Sequence, residues 1–207
     1  MEKQELKNYI EYIQEIQSET EDIEVKAAHK GCPKRLYDTL SSFSNRAGGG
    51  VIIFGLDENK NFEVVGVYDP NDLQKKVVSQ CNNMVPKIRP YFTILKYGEL
   101  NVVSAEISEV SSEEKPCYYG SKGIQNGSYI RVGDADEPMT SYEIYNLTAY
   151  KVRIEEDIRE ITKSTLDDLD SEKLKNYLKL IKEQKPNLSK FQDEYILERL
   201  SIIKKNK

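Results

Sequence analysis

Residue types that bind zinc or act as nucleophiles are scarce in this chain. It has one histidine, His29, and three cysteines, Cys32, Cys81 and Cys117, in 207 residues. The cysteines are odd in number and far apart, and no CxxC pair occurs, which argues against a structural zinc site. His29 has no second histidine or thiol placed to work with it, so a Cys/His nucleophilic site has no material. The thiols are expected to be reduced, in a cytoplasmic protein. No apolar run approaches the roughly 18 residues that a membrane-spanning helix needs, so no membrane partner is expected. The N-terminal stretch MEKQELKNYIEYI lacks the short apolar core and small-residue cleavage site of a secretory signal. Internal repeats and low-complexity tracts are also lacking.

What is present is a surface-rich composition, 38% hydrophobic and 31% charged, with a formal net charge of −5. That balance fits neither a membrane protein nor a disordered one. It also weighs against a protein that coats nucleic acid over its whole surface. The charge is uneven, however. Residues 1–150 carry 16 basic and 23 acidic side chains, and residues 151–207 carry 14 and 12. From Leu73 to Gly98 there are Lys75, Lys76, Lys87, Arg89 and Lys96 and no acid. From Val25 to Arg46 there are Lys26, Lys30, Lys34, Arg35 and Arg46 against Asp38 alone. These stretches can make one local basic surface, although a charge run often forms only a solvated face.

Hydrophobic periodicity sets the outline. Leu6, Ile10 and Ile13 predict a helix over residues 2–17. Ile23, Val25 and Ala27 alternate with Asp22, Glu24 and Lys26, the pattern of a strand with one charged face. Leu36, Leu40 and Phe43 mark a helix over about 34–45, stopped by Gly48, Gly49 and Gly50. Val51 to Leu56 is an apolar run suited to a central strand buried on both faces. A strand is expected over Phe62–Val67 and a helix over about 71–83, capped by Asp69 or Asn71. Tyr91–Tyr97 and Asn101–Ile107 read as a hairpin around Gly98, and Ser128–Val132 as a last strand. Thr140 and Glu143 have capping-box spacing. Helices follow to about Ile161, from Ser171 to about Lys185, and from Ser189 onward.

The fold class is therefore α+β, a central mixed sheet flanked by helices with a mainly helical C-terminal extension. The expected organisation is an N-terminal helix (1–17), a domain (18–150) and a helical extension (151–207). Phe191, Tyr195, Leu197, Leu200 and Ile203 are too apolar for a free tail and call for a partner surface. The close in Lys204, Lys205, Asn206 and Lys207 leads to the expectation that a larger protein continues.

Four blocks say more than periodicity does. They are Glu19-Thr20-Glu21-Asp22-Ile23-Glu24-Val25-Lys26, Leu40 to Asp57 (LSSFSNRAGGGVIIFGLD), Val65-Gly66-Val67, and Ser128-Tyr129-Ile130-Arg131-Val132-Gly133. In order and spacing they resemble the Schlafen/AlbA-like family, over about residues 18–150. Each block alone is weak; the four in order are specific. The chain departs from the family pattern at Arg46, where threonine or serine is usual, at the third glycine, and at Asp134, where serine is common.

The resemblance implies a nucleic-acid-associated domain, of the kind found in bacterial transcriptional regulators. It also implies a second possibility. Nuclease members of the family use an acidic triad, and Glu19, Glu24 and Asp57 fall at the matching places. Those carboxylates would suit Mg²⁺ or Mn²⁺, with Lys26 stabilising developing charge. The competing reading is a solvated strand face plus a turn aspartate. The glycine turn invites a phosphate-loop reading, but it follows a helix and opens a strand, and no GxxxxGK[ST] occurs. A helix C-cap with close backbone packing is the simpler reading. Asn45 is expected to be structural, and Arg131 either to pair with an acid or to bind phosphate.

Three functions are thus expected in order: binding of DNA or RNA with no required cofactor, metal-dependent endoribonuclease action, and protein interaction or dimerisation. The binding surface would use Lys34, Arg35, Arg46, Lys75, Lys76, Lys87, Arg89 and Arg131. Vertebrate Schlafen proteins resemble this domain used twice, so a homodimer is the expected way for a single copy to rebuild a groove.

Overall fold

The computed structural model describes residues 1–157, 164–200 and 202–203. Helix α1 (Lys3–Ile16) opens the chain, followed by strand β1 (Ile23–Lys26), helix α2 (Tyr37–Asn45), and strands β2 (Gly50–Phe54) and β3 (Leu56–Asp57). Strand β4 (Glu63–Val64), helix α3 (Pro70–Cys81), and strands β5 (Met84–Val85), β6 (Tyr91–Tyr97) and β7 (Leu100–Ile107) come next. Strand β8 (Tyr118–Tyr119), helix α4 (Gly123–Gly127), and strands β9 (Tyr129–Val132) and β10 (Ala135–Pro138) lead into helix α5 (Ser141–Asp157). Helices α6 (Ser171–Gln184) and α7 (Asp193–Arg199) close the described chain. Two compact units result, Met1–Lys151 and Val152–Lys207.

The main sheet of the first unit has the order β1-β2-β7-β6. β1 runs parallel to β2, with Glu24 opposite Ile52, and β2 and β6 run antiparallel to β7. The apolar run 51–56 thus holds an interior strand, as its composition requires. Its side chains alternate between two cores. Ile53 joins Leu6, Ile10 and Ile13 of α1, while Ile52 and Phe54 join Leu40 and Phe43 of α2 and Leu73 and Val77 of α3. Helices on both faces explain why β2 carries no polar residue. The fold is α+β with a mixed sheet.

Local chemistry fixes the helix ends. Asp69 Oδ1 accepts from the amides of Asn71 and Asp72 (2.9 and 3.1 Å), so Asp69 is the cap of α3. Thr140 and Glu143 form the capping box: Glu143 Oε2 accepts from Thr140 N at 2.7 Å, and Thr140 Oγ1 from Glu143 N at 3.2 Å. The strand expected over 62–67 shrinks to Glu63–Val64. Positive φ angles at Phe62 (57°) and Gly66 (74°) bend the chain out of the ladder on both sides. Ile161 and Lys204–Lys207 lie outside the described residues.

In the second unit Leu178, Leu188, Ile196 and Leu197 are buried together, with Phe191, Leu200 and Ile203 packed against them. The apolar residues of 189–203 therefore find their partners on α6. They do not by themselves call for a second copy of the chain.

The glycine turn is packed as tightly as backbone allows. Gly49 has φ +73°, and a Cβ there would lie 2.1 Å from the Ile107 carbonyl oxygen. A Cβ on Gly50 would lie 2.5 Å from the Phe43 ring. Gly49→Ala is expected to destabilise the domain by more than about 2 kcal/mol, because strain and a backbone clash add. Urea unfolding would measure it; a loss below about 0.5 kcal/mol, the size of an ordinary surface change, would contradict the packing described.

Candidate functional site

β1 presents Glu24 and Lys26 on the side of the sheet that faces α2, because Ile23 and Val25 occupy the other side. The charged face is not solvated. The Glu24 side chain is 7% exposed, and its Oε2 accepts from Arg131 Nη1 at 2.9 Å. Glu24 Oε1 also accepts a short hydrogen bond from Lys26. Arg131 arrives on β9 with its side chain 1% exposed. Nη1 also meets Asp136 Oδ1 of β10 at 3.0 Å, and Nη2 donates to the carbonyls of Thr20 and Ile23 at 3.2 and 3.3 Å. The guanidinium lies 5.1 Å from the centroid of Phe43. Asp136 in turn accepts from Ser42 Oγ (2.5 Å) and Thr39 Oγ1 (2.6 Å) of α2.

Glu19 stands at the edge of this cluster. Its Oε1 accepts from the Val25 amide at 2.6 Å, and its Oε2 is 3.9 Å from Arg131 Nη2. Burial, and then the Glu24 charge, push its carboxyl from the ordinary 4.5 up to about 7, against the Val25 hydrogen bond and Lys26. Burial works against the charge on Lys26 and Arg131. The adjoining carboxylates, Glu24 for the lysine and Asp136 and Glu24 for the arginine, outweigh it and hold both cations above their usual range.

Of the three candidate metal ligands, Glu19 and Glu24 come together and Asp57 is engaged elsewhere. Asp57 Oδ1 accepts from Asn59 N at 3.1 Å, and its Oδ2 faces Lys60 Nζ at 4.0 Å. Among the described residues no three carboxylate, histidine or cysteine side chains gather so as to hold a metal ion. The donor chemistry does not fit Mg²⁺ or Mn²⁺ either: Arg131 and Lys26 already take both oxygens of Glu24, where a hard cation would need them.

The other polar residues of the four sequence blocks are also structural in their contacts. Asn45 Nδ2 donates to the carbonyls of Cys117 (2.9 Å) and Tyr129 (3.1 Å), and its Oδ1 accepts from Cys117 N at 2.7 Å. It staples α2 to the segments before β8 and in β9. Arg46 Nη1 donates to the carbonyls of Ala47 and Gly49 at 3.0 and 2.9 Å, and the Gly48 amide goes to Glu109 Oε2 at 2.9 Å. The polar groups of the glycine turn are thus met by Arg46 and Glu109. Cys81 and Cys117 are pushed up to about 12 by burial, which makes them inert thiols.

The remaining cations lie on the surface. Lys34, Arg35, Lys75, Lys76, Lys87 and Arg89 are all exposed. Three hydrogen bonds bring their segments together. Gln80 of α3 donates to Pro33 O (2.8 Å) and accepts from Leu36 N (3.0 Å), which laces residues 32–36 onto α3. Arg89 Nη1 reaches Asn82 Oδ1 at 3.0 Å, at the end of the same helix. Lys76 pairs with Asp72 at 2.8 Å and Arg35 with Asp38 at 2.7 Å. Lys34, Lys75 and Lys87 have no acidic partner within ion-pair distance among the described residues.

Residues 19–140 match the sequence profile of the family described as Schlafen, AlbA_2. The chain belongs to that family. Among solved structures, this Schlafen AlbA_2 domain is similar to the N-terminal domain of a protein from Nitrosomonas europaea described as an ATP-dependent DNA helicase RecG-related protein. That likeness has a TM-score of 0.50 and 25% identity, over 64% of this chain and 92% of that one. A second likeness, to the DIP2311 protein from Corynebacterium diphtheriae, has a TM-score of 0.43 and 18% identity over 87% of this chain and 32% of that one. Comparison with curated proteins gives no match.

Within the Schlafen AlbA_2 domain, sequence reasoning placed Arg131 on the binding surface, and the structure places it in the interior. It missed Asp136, the acid that connects Arg131 to α2, and Lys122, which adjoins the basic face. No local pattern marks either one.

Two measurements check the cluster. Arg131→Met leaves Glu24 and Asp136 buried without their cation, and is expected to cost about 3–5 kcal/mol in urea unfolding; a loss under about 1 kcal/mol would contradict the geometry. Glu19 binds its proton more tightly folded than unfolded. Its contribution is therefore fully present below about pH 4.5 and is lost as pH rises through about 7. Glu19→Gln keeps the acceptor for Val25 and removes the titration, so its stability relative to the native chain is expected to rise between those pH values. A constant difference would count against the shift.

Proposed function

We propose that this domain binds nucleic acid, DNA or RNA, through the face made by residues 32–36, α3 and the segment from Asn82 to Arg89. The observation that carries the reading is an exposed basic surface drawn together from two acid-poor stretches of a chain with net charge −5. Membership of the Schlafen AlbA_2 family supports it. So does the likeness to the N-terminal domain of a protein described as DNA-helicase-related.

Phosphate contacts of this kind position a strand without reading its sequence. Within residues 1–150, where acids outnumber bases 23 to 16, a polyanion is repelled except along that face, which gives orientation. The role is then that of a binding module in a regulator, with no cofactor required for the contact. Cleavage finds less support, because the carboxylates it would use are held in hydrogen bonds with Arg131, Lys26 and the Asn59 amide.

Fluorescence anisotropy with labelled single-stranded RNA, single-stranded DNA and duplex DNA tests the reading. Affinity is expected to fall steeply between about 50 and 200 mM salt, as counterion release requires. The Lys75→Glu/Lys76→Glu double variant should weaken binding at least about tenfold while retaining the fold, since both side chains are exposed. Unchanged affinity in that variant would overturn the face. Strand cleavage by the native chain in Mn²⁺, lost in Glu24→Gln, would favour the enzyme instead.

A further inference from the structure

Beside the basic face, the turn after β8 carries a cation held by rings instead of acids. Lys122 Nζ donates to Tyr37 Oη at 2.8 Å and to Tyr129 Oη at 3.3 Å. It lies 4.5 Å from the centroid of the Tyr37 ring. The Arg35 guanidinium carbon is 5.1 Å from the same centroid. Tyr119 stacks on Tyr37 with centroids 4.6 Å apart and planes 11° from parallel, which fixes the ring. Lys122 is exposed, and among the described residues it has no carboxylate partner.

These contacts have a chemical consequence. A tyrosine hydroxyl that accepts from an ammonium directs its own proton away, toward a further acceptor. The hydrogen bond from Lys122 also holds the Tyr37 hydroxyl below its ordinary range, which makes it the stronger donor. Cation–π contact orients Lys122 without neutralising it, unlike a carboxylate. The site joins the face already described: Gly120 N donates to Asn83 O at 2.9 Å, and β5 pairs with β8, Met84 opposite Tyr119.

We propose that Lys122, with the hydroxyls of Tyr37 and Tyr129, forms a preorganised point that binds one phosphate group, with the Arg35 guanidinium, which Asp38 pairs at 2.7 Å, beside it. The inference deepens the nucleic-acid reading and rests on it for the source of that phosphate. An internal phosphodiester and a terminal phosphate offer the same oxygens, and the experiment separates them. Charge-assisted donors converging on one anion are the stronger kind of hydrogen bond, so this point contributes more than a scattered surface lysine.

The test compares the full chain with Lys122→Ala and Tyr37→Phe, by anisotropy on one short single strand with either a 5′-phosphate or a 5′-hydroxyl. Lys122→Ala is expected to weaken binding about tenfold, the equivalent of one good charged contact. Tyr37→Phe keeps the stack on Tyr119 and is expected to cost about threefold, one hydroxyl contact. Loss on both strands assigns an internal phosphodiester; loss on the phosphorylated strand alone assigns a strand end.

Full affinity in both variants, with the Lys75→Glu/Lys76→Glu variant still impaired, overturns the phosphate point and leaves the binding face standing. Inorganic phosphate gives the independent arm. Shifts of the Tyr37 and Tyr129 ring resonances, absent in Lys122→Ala, support the point even if no oligonucleotide binds, in which case the nucleic-acid reading falls. Neither oligonucleotide binding nor phosphate-induced shifts would overturn both.

Discussion

Arg131 carries a permanent charge into a place water does not reach, and the surrounding structure is arranged around satisfying it. One buried guanidinium takes two carboxylates, from β1 and β10, and two carbonyls from the segment that leads into β1. Asp136 passes the connection on to Thr39 and Ser42 of α2. The β9–β10 ribbon, which shares no ladder with the main sheet, is tied to it through these bonds. An ion cluster of this sort does not add stability in proportion to its size, because desolvation offsets most of the attraction. Its centre is what cannot be spared: removing Arg131 leaves Asp136 without a cation and Glu24 with Lys26 alone. The cluster holds three carboxylates against two cations, and Glu19, at its rim, meets the excess by keeping a proton up to about pH 7.

This arrangement bears on function through what it removes from the surface. Glu19 and Glu24, two of the three residues that look like a metal-binding triad in sequence, are matched against Arg131, which looks like a phosphate-binding arginine, while Asp57 caps its own turn. The cations on α3 and on the loops laced to it by Gln80, Asn82 and Gly120 stay outside. Scaffold residues and the proposed contact surface are thus separate sets. Gly49, Asn45 and Arg131 hold the domain together, and Lys34, Lys75, Lys87 and Lys122 are free to meet an anion.

The parts of the fold legible in the sequence were those set by local periodicity and capping. The run Val51–Leu56 announced an interior strand because two helices bury it from both sides, and Thr140 with Glu143 announced the start of α5. The glycine turn was legible because its order, helix then strand, is wrong for a nucleotide loop. The ribbon strand Ala135–Pro138 was not, since it is charged, mostly exposed and ends in proline. Contacts between distant positions were also hidden. Arg131 and Glu24 stand 107 residues apart, and Lys122 and Tyr37 stand 85 apart. A period-2 strand with alternating charge reads as half-solvated unless its partner across the fold is known, and so Glu24 was left between a metal ligand and a solvated strand face.

On the function proposed, contact with nucleic acid is made by the basic face and not by the carboxylates of β1. Amide chemical-shift mapping of the full chain, titrated with a single-stranded oligonucleotide, tests it most directly. Shifts are expected to concentrate in residues 33–37, 75–89 and 118–122, with the amides of Glu19 to Lys26 unmoved. Shifts centred on Glu19, Glu24 and Asp57, with the α3 face silent, would contradict it.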